Sequence, residues 1–272
     1  MGKVFISCTT MPNRLWLLRY TLISLMGQTA KVDRIVINIE YSSKYDEEGI
    51  RQVLCIEENS RKVLINFTKD LGPHTKLIPT LDLAGDDDYI ISVDDDVLYD
   101  SYLVEKLCFQ ADLNPSCIIC SRGRIIRKNI FGRVRNYNHW YYANSRVMSQ
   151  SVLALGFGGV CYKKSLIDLN FIRDTAFREL APTTDDLWFK MSSVIKGTSI
   201  LFDPDIYGSS SVILHSQGLD NVNIFKRKGI SLFFLSKIFY LVWDAIRDYL
   251  GVMGSQNDRQ WKNIQRYVRQ KR

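Results

Sequence analysis

Short apolar runs and amphipathic stretches alternate through the first 110 residues, and few folds accommodate that alternation. Val4–Ser7, Arg34–Ile39, Val63–Phe67 and Tyr89–Val93 read as buried strands. Between and after them, Leu15–Met26, Glu47–Glu58, Lys76–Ala84 and Ser101–Ala111 read as helices. In the first helix Leu15, Leu18, Leu22 and Leu25 form one stripe, and Gly27 ends it. Strands separated by helices of this length predict an α/β fold: a parallel sheet with helices on both faces. At 46% hydrophobic residues and only 6 prolines in 272 residues, the chain has ample material for a core, and the composition excludes disordered and collagen-like classes.

Beyond Asp112 the character changes. No acidic residue occurs between Asp112 and Asp168, while arginines 122, 124, 127, 133, 135 and 146 crowd the same stretch together with Tyr137, Trp140, Tyr141 and Tyr142. Short strands over Ser116–Ser121 and Arg124–Ile126 and a long loop are expected here. Gly156-Phe157-Gly158-Gly159 reads as a glycine turn entering a strand at Val160-Cys161-Tyr162. Asp185–Ile195 reads as a helix stopped by Lys196-Gly197, and Val212–Leu214 as a last short strand before His215.

The charge is unevenly placed. Residues 226–272 hold 11 basic and 3 acidic side chains, so this tail carries more than the whole net charge of +7. The expected organisation is therefore a body, residues 1–225, and a basic helical extension, residues 226–272. Within the extension, Ser231–Leu250 is apolar around nearly the whole helical circumference. The run Ile230–Trp243, with Lys237 inside it, falls short of the roughly 20 residues that cross a bilayer. With the flanking Lys226-Arg227-Lys228, this suits an anionic membrane surface. Packing of that helix on the body, with a solvated basic end, is the alternative, and nucleic-acid binding ranks last. The 6 cysteines lie mostly in apolar runs, with one CxxC pair (Cys117, Cys120) and no second pair to complete a zinc site. They read as buried thiols, and the apolar run at the N-terminus is too short for a secretory signal. The expected location is the cytoplasm, with peripheral attachment to the cytoplasmic membrane face.

The residues with the most chemistry follow the fourth strand. Tyr89-Ile90-Ile91-Ser92-Val93 delivers Asp94-Asp95-Asp96 at its C-terminal end, where open α/β sheets bind ligands. Adjacent carboxylates repel unless a cation compensates them, and hard oxygen donors favour Mg²⁺ or Mn²⁺. Such an ion neutralises a diphosphate leaving group. Asp86-Asp87-Asp88 precedes the strand instead and reads as a solvated acidic turn.

The Asp94-Asp95-Asp96 triplet resembles the DxD motif of nucleotide-sugar-dependent glycosyltransferases of the GT-A fold. Other stretches are similar in order and spacing to bacterial family-2-like members: Ser7-Cys8-Thr9-Thr10-Met11-Pro12-Asn13-Arg14-Leu15, then Thr21–Leu25 with Gln28-Thr29, Asp70–Leu77, Gly158-Gly159-Val160, and Thr184-Asp185-Asp186-Leu187-Trp188. The resemblance spans roughly residues 3–220. It implies a Rossmann-like, mainly parallel sheet. It implies transfer of a hexosyl or N-acetylhexosaminyl group from a nucleotide-diphosphate sugar, a UDP-sugar foremost, to a saccharide or lipid-linked saccharide in cell-surface polysaccharide or lipopolysaccharide assembly.

Carried onto these positions, the resemblance places Asp94 and Asp96 at the ribose and the metal, with Asp95 beside them. Thr9, Met11 and Arg14 border the nucleotide, and Lys76 faces the diphosphate. In the family's inverting members one carboxylate of an ED-type pair deprotonates the acceptor hydroxyl. Asp186 is the expected base and Asp185 its helper, although this sequence has Asp where the family usually has Glu. Acids also favour a first helical turn for purely structural reasons. Gly158, Gly159 and Trp188 are expected on the acceptor side, and His215 is expected to join the metal shell. The basic aromatic segment 122–146 suits sugar rings and phosphates. Two rival classes remain. A sugar-nucleotide nucleotidyltransferase would need a glycine-rich loop after the first strand, and Thr9–Asn13 contains no glycine. A non-enzymatic basic membrane or nucleic-acid adaptor would need no metal.

Overall fold

The computed structural model describes residues 2–41, 45–57, 60–214 and 254–271. The first half follows the expected alternation: β1 (Val4–Thr9), α1 (Leu15–Met26), β2 (Arg34–Glu40), α2 (Glu47–Leu54), β3 (Val63–Thr68), α3 (Thr80–Leu83), β4 (Tyr89–Ser92), β5 (Val97–Leu98) and α4 (Leu103–Leu113). The second half is finer grained. It comprises β6 (Cys117–Cys120), β7 (Gly123–Ile125), β8 (Tyr141–Tyr142), β9 (Val147–Ser149), β10 (Val152–Ala154) and β11 (Val160–Tyr162). Then come α5 (Leu169–Ile172), α6 (Phe177–Leu180), α7 (Asp185–Lys196), β12 (Ser199–Phe202), β13 (Ser211–Val212) and α8 (Gln256–Lys271).

Eight strands form one mixed, mostly parallel sheet in the order β3-β2-β1-β4-β11-β6-β12-β9. β1 pairs in parallel with both β2 and β4, so Ile6 lies opposite Ile35 on one side and Ile91 on the other. β11 runs antiparallel between β4 and β6. The sheet alternates its side chains between two cores, as the two-residue strand repeat demands. Val4, Ile6 and Cys8 pack with Leu15, Leu18 and Leu103 on one face. Phe5, Val36 and Ile90 pack with Leu77, Trp188 and Trp261 on the other. Helices cover both faces, and the sheet is compatible with a Rossmann-like fold. The chain leaves β1 for β2 and β3 in one direction and then returns to place β4 on the far side of β1. The strand order therefore reverses between β1 and β4, and their C-terminal ends flank a crevice.

Several boundaries differ from expectation for local reasons. The helix expected over Lys76–Ala84 is a single 3-10 turn, His74–Lys76, followed by α3. Pro79 separates the two, since it has no N–H to donate and disfavours helical geometry in the residue before it. α2 stops at Leu54 because Cys55 adopts a left-handed conformation (φ 54°) and its N–H caps Arg51 and Gln52. Cys55 is exposed, whereas the other five cysteines are buried free thiols, as read from their apolar settings. The acidic turn 86–88 is solvated, with Asp88 accepting from the N–H groups of Lys3 and Gly85. Ser199–Phe202 is a buried strand that the sequence reading passed over, and the last short strand is Ser211–Val212, paired with β5.

The end of the basic extension is part of the body. α8 buries Trp261 and Ile264 in the core that contains Trp188. Its Tyr267 and Lys271 both bond Asp174, each at 2.5 Å. His215 and the apolar run 231–250 lie outside the described residues. Among the described residues no helix is long and apolar enough to cross a membrane.

His74 bears on stability. It is fully buried and stacks on Phe177 at 4.3 Å. Burial holds its imidazole neutral, with its pKa lowered to about 3, helped by the charge of Lys76. An unfolded histidine titrates near 6.5, so the unfolded chain gains a proton below that pH and the folded chain does not. The contribution is complete above pH 6.5 and is lost as pH falls toward 3, reaching about 2 kcal/mol by pH 5. Urea unfolding of His74→Phe at pH 7 and pH 5 should show a smaller acid loss than the unsubstituted protein; equal losses would exclude His74 as the source.

Candidate active site

A cavity of about 760 Å³ opens at the crevice between β1 and β4. Thr9–Arg14, leaving β1, form one wall, and Asp94–Asp96, leaving β4, form its floor. Asp185 and Asp186, opening α7, face them. Arg124, Tyr137, Tyr142, Leu155 and Asn257 line the side opposite the β1 loop. Seven acidic side chains line the cavity against three basic ones, Arg14, Lys76 and Arg124.

The three aspartates after β4 have different environments. Asp95 is buried, and both of its oxygens are engaged: Oδ1 by Arg14 Nη2 at 2.5 Å and Oδ2 by the Thr10 hydroxyl at 2.6 Å. Thr21 also donates to its backbone carbonyl at 2.8 Å. Burial raises the Asp95 carboxyl to about 6 despite the Arg14 charge beside it. Asp95 therefore braces the β1 loop and offers little to a ligand. Asp94 and Asp96 are partly exposed, with side chains 30% and 18% accessible. Arg14 reaches Asp96 at 3.0 Å, so one guanidinium ties two members of the triplet together. The Asp94 N–H donates to Tyr99 Oη at 2.9 Å, and that hydroxyl donates to the Phe157 carbonyl at 3.1 Å, which fixes the turn.

Lys76 joins the two acidic groups. Its Nζ lies 2.6 Å from Asp94 Oδ1 and 2.9 Å from Asp185 Oδ2, the second contact being an ion pair off the hydrogen-bond line. Burial opposes the lysine charge, but Asp185, Asp94 and Asp186 outweigh it and hold its pKa well above the ordinary value. Asp185 is buried against this lysine; burial raises its carboxyl and Lys76 works against the rise. Asp186 is the more accessible of the pair. Its Oδ1 accepts the Gly156 N–H at 3.1 Å. Burial and then the neighbouring Asp185 raise its carboxyl well above the usual range. Gly156 has no room for a side chain: a Cβ there would sit 2.6 Å from Lys76 Nζ and 3.2 Å from Asp186 Oδ1.

The structure thus brings together Thr9, Met11, Arg14, Lys76, Asp94, Asp95, Asp96, Asp185 and Asp186 around one cavity. Met11 is half exposed at the rim, and the Thr9 hydroxyl is bonded to the Asn38 carbonyl. Three acceptor-side expectations change. Trp188 is fully buried, stacked on Phe171 at 4.1 Å and bonded to the Ile172 carbonyl, so it belongs to the core. Gly158 and Gly159 stand behind the cavity, where Gly158 packs against Arg122 and Ser121 and Gly159 adopts φ 87° against Leu103. The glycine that meets the site is Gly156. Its short-range signal was present in the Gly156-Phe157-Gly158-Gly159 run, which does not reveal which glycine faces a ligand. Asn257 had no local signal, since only the docking of α8 brings it to the cavity.

Among the described residues no three His, Cys, Asp or Glu side chains form a metal-binding group. The donor set still suits a hard divalent ion. Its side-chain oxygens are carboxylates, the acids outnumber the bases, and Asp94 keeps part of its carboxylate open to the cavity.

No protein-family model matches this chain, and no curated protein matches it either. What the site can do is therefore read from its own groups. One wall presents the loop Thr9–Arg14, the floor presents the carboxylates 94–96, and the α7 end presents a carboxyl with raised proton affinity.

Asp95→Ala would remove one of the two carboxylates that Arg14 grips and leave the buried Thr10 hydroxyl without its partner, a loss of about 1–3 kcal/mol. The urea midpoint should fall accordingly, with Asp95→Asn losing less because Thr10 keeps a partner. A loss below about 1 kcal/mol for the alanine variant would show that the β1 loop does not depend on this brace.

Proposed function

We propose that the protein is a metal-dependent glycosyltransferase of the GT-A type. It transfers a sugar from a nucleotide-diphosphate sugar, a UDP-sugar foremost, to a saccharide or lipid-linked saccharide acceptor. One observation carries the reading: Lys76 bridges the carboxylate at the end of β4 to the pair at the start of α7, so the donor-side and acceptor-side acids share one cavity at the strand-order reversal.

Asp94 and Asp96 would hold Mg²⁺ or Mn²⁺, and the bound ion would supply neutralisation of the diphosphate charge. His215, at the end of the expected last strand, belongs to the same reading, though it lies outside the described residues. Thr9, Met11 and Arg14 border the base and ribose. Arg14 acts through its grip on Asp95 and Asp96, which keeps the loop and the carboxylates in register.

Transfer proceeds with inversion. The acceptor oxygen bonds to the anomeric carbon as the bond from that carbon to the diphosphate oxygen breaks, and the electron pair leaves with the nucleoside diphosphate. Asp186 takes the hydroxyl proton. The Gly156 N–H orients its carboxylate toward that task. Asp185, held by Lys76, supports it. The placement of the reaction in cell-surface polysaccharide assembly at the cytoplasmic membrane face is supported by the family resemblance and by the basic excess of residues 226–272.

Calorimetry with UDP and Mn²⁺ tests the donor side: metal-dependent binding should be present in the unsubstituted protein and absent in Asp96→Ala. A nucleotide-blind protein, or an alanine variant that binds normally, would remove the assignment. For the base, Asp186→Asn should retain nucleotide affinity and lose about 10² to 10⁴ in transfer rate. Unchanged turnover would transfer that role elsewhere.

A further inference from the structure

Arg124 stands apart from the other two basic side chains of the cavity. Arg14 and Lys76 are each paired with two carboxylates. Arg124, only 8% exposed, has no carboxylate partner among the described residues. Its guanidinium lies between two rings, 4.7 Å from the centroid of Tyr137 and 4.2 Å from that of Tyr142. Nη1 donates to the carbonyls of Tyr137 and Trp140, at 3.5 and 3.2 Å, and Nε has no partner among the described residues. Aromatic faces attract a desolvated guanidinium but accept none of its N–H hydrogen bonds in the plane, so it retains unused donor capacity.

A second orphaned group lines the same cavity. Asn257, 5% exposed on the first turn of α8, has a side-chain oxygen with no partner among the described residues. Its neighbour Asp258 accepts from the Tyr137 N–H at 2.5 Å, which ties this turn to the ring that stacks on Arg124. Unsatisfied buried polar atoms are few in native proteins, and two on one cavity wall suit a ligand that supplies both an acceptor and a donor.

We propose that the acceptor sugar carries an oxyanion, a carboxylate or a phosphate, which Arg124 binds through its free donors while the Asn257 side-chain oxygen accepts a hydrogen bond from a hydroxyl of the same sugar. The inference rests on the glycosyltransferase reading and names its acceptor class. Arginine is the side chain suited to this task, because its planar fork matches both oxyanions. A bound neutral sugar would leave the guanidinium uncompensated, so the pocket discriminates against it.

The test uses the full chain with UDP and Mg²⁺ saturating, and three probes: methyl glucoside, methyl glucuronide and glucose 6-phosphate. At least one anionic probe should bind tenfold or more tightly than the neutral glucoside, and the preferred one identifies the oxyanion. Arg124→Gln should erase that preference and leave UDP affinity unchanged. Tyr142→Ala removes an exposed ring from the outer side of the guanidinium, opens it to water and should weaken the same preference without touching the core. Equal affinity for all three probes, failure of every probe to bind, or a preference that survives both variants would overturn the proposal. UDP binding in the same samples keeps the two questions separate. Its presence with no anionic preference refutes the role of Arg124 alone, and its absence from the unsubstituted protein refutes the glycosyltransferase reading beneath it.

Discussion

Five aspartates, 94, 95, 96, 185 and 186, converge where the sheet changes direction, and their mutual repulsion is the constraint that organises everything nearby. Two cations hold them. Arg14 spans Asp95 and Asp96, and Lys76 spans Asp94 and Asp185. The cations come from different elements, one from the loop after β1 and one from the turn before α3. Each ion pair therefore also fastens a segment of chain to the end of β4. Removing either cation would leave several like charges in a setting of low dielectric, where repulsion is far stronger than in water.

The scaffold around this cluster is built to bring it close without room to spare. Gly156 is the point of nearest approach, since its missing side chain leaves space for Lys76 Nζ, and its N–H binds Asp186. Tyr99 spends its hydroxyl on the Asp94 N–H and the Phe157 carbonyl, so the strand that carries the acids and the turn that carries Gly156 move as one. Such backbone and side-chain bracing is what lets a site keep its charges oriented in advance.

Much of this was legible in the sequence, and the reasons for the rest are physical. The β1–β4 half follows from strong alternation of apolar runs and amphipathic helices, and Asp94-Asp95-Asp96 follows from its position after a buried strand. Asp185-Asp186 stand out at the head of a helix. The break in the expected Lys76–Ala84 helix was signalled by Pro79. By contrast, β7 to β10 are two or three residues long, too short for a period to register. Trp188 lies two residues after Asp186 in a helix, which turns it about 200° away from the carboxylate and into the core. The division of labour among three consecutive aspartates depends on which of them meets Arg14, a contact over about 80 residues of chain that no local pattern encodes.

The docking of α8 has a consequence for how this architecture divides. All eight strands of the main sheet and both acidic groups lie before residue 203, whereas one panel of the cavity wall arrives from Asn257, anchored by Asp258 and by Gln260 on Thr184. Sheet and wall are thus contributed by remote stretches of polypeptide that meet through a handful of polar contacts. Exchanging the terminal helix would therefore rebuild one panel of the cavity while leaving the sheet and both acidic groups as they are.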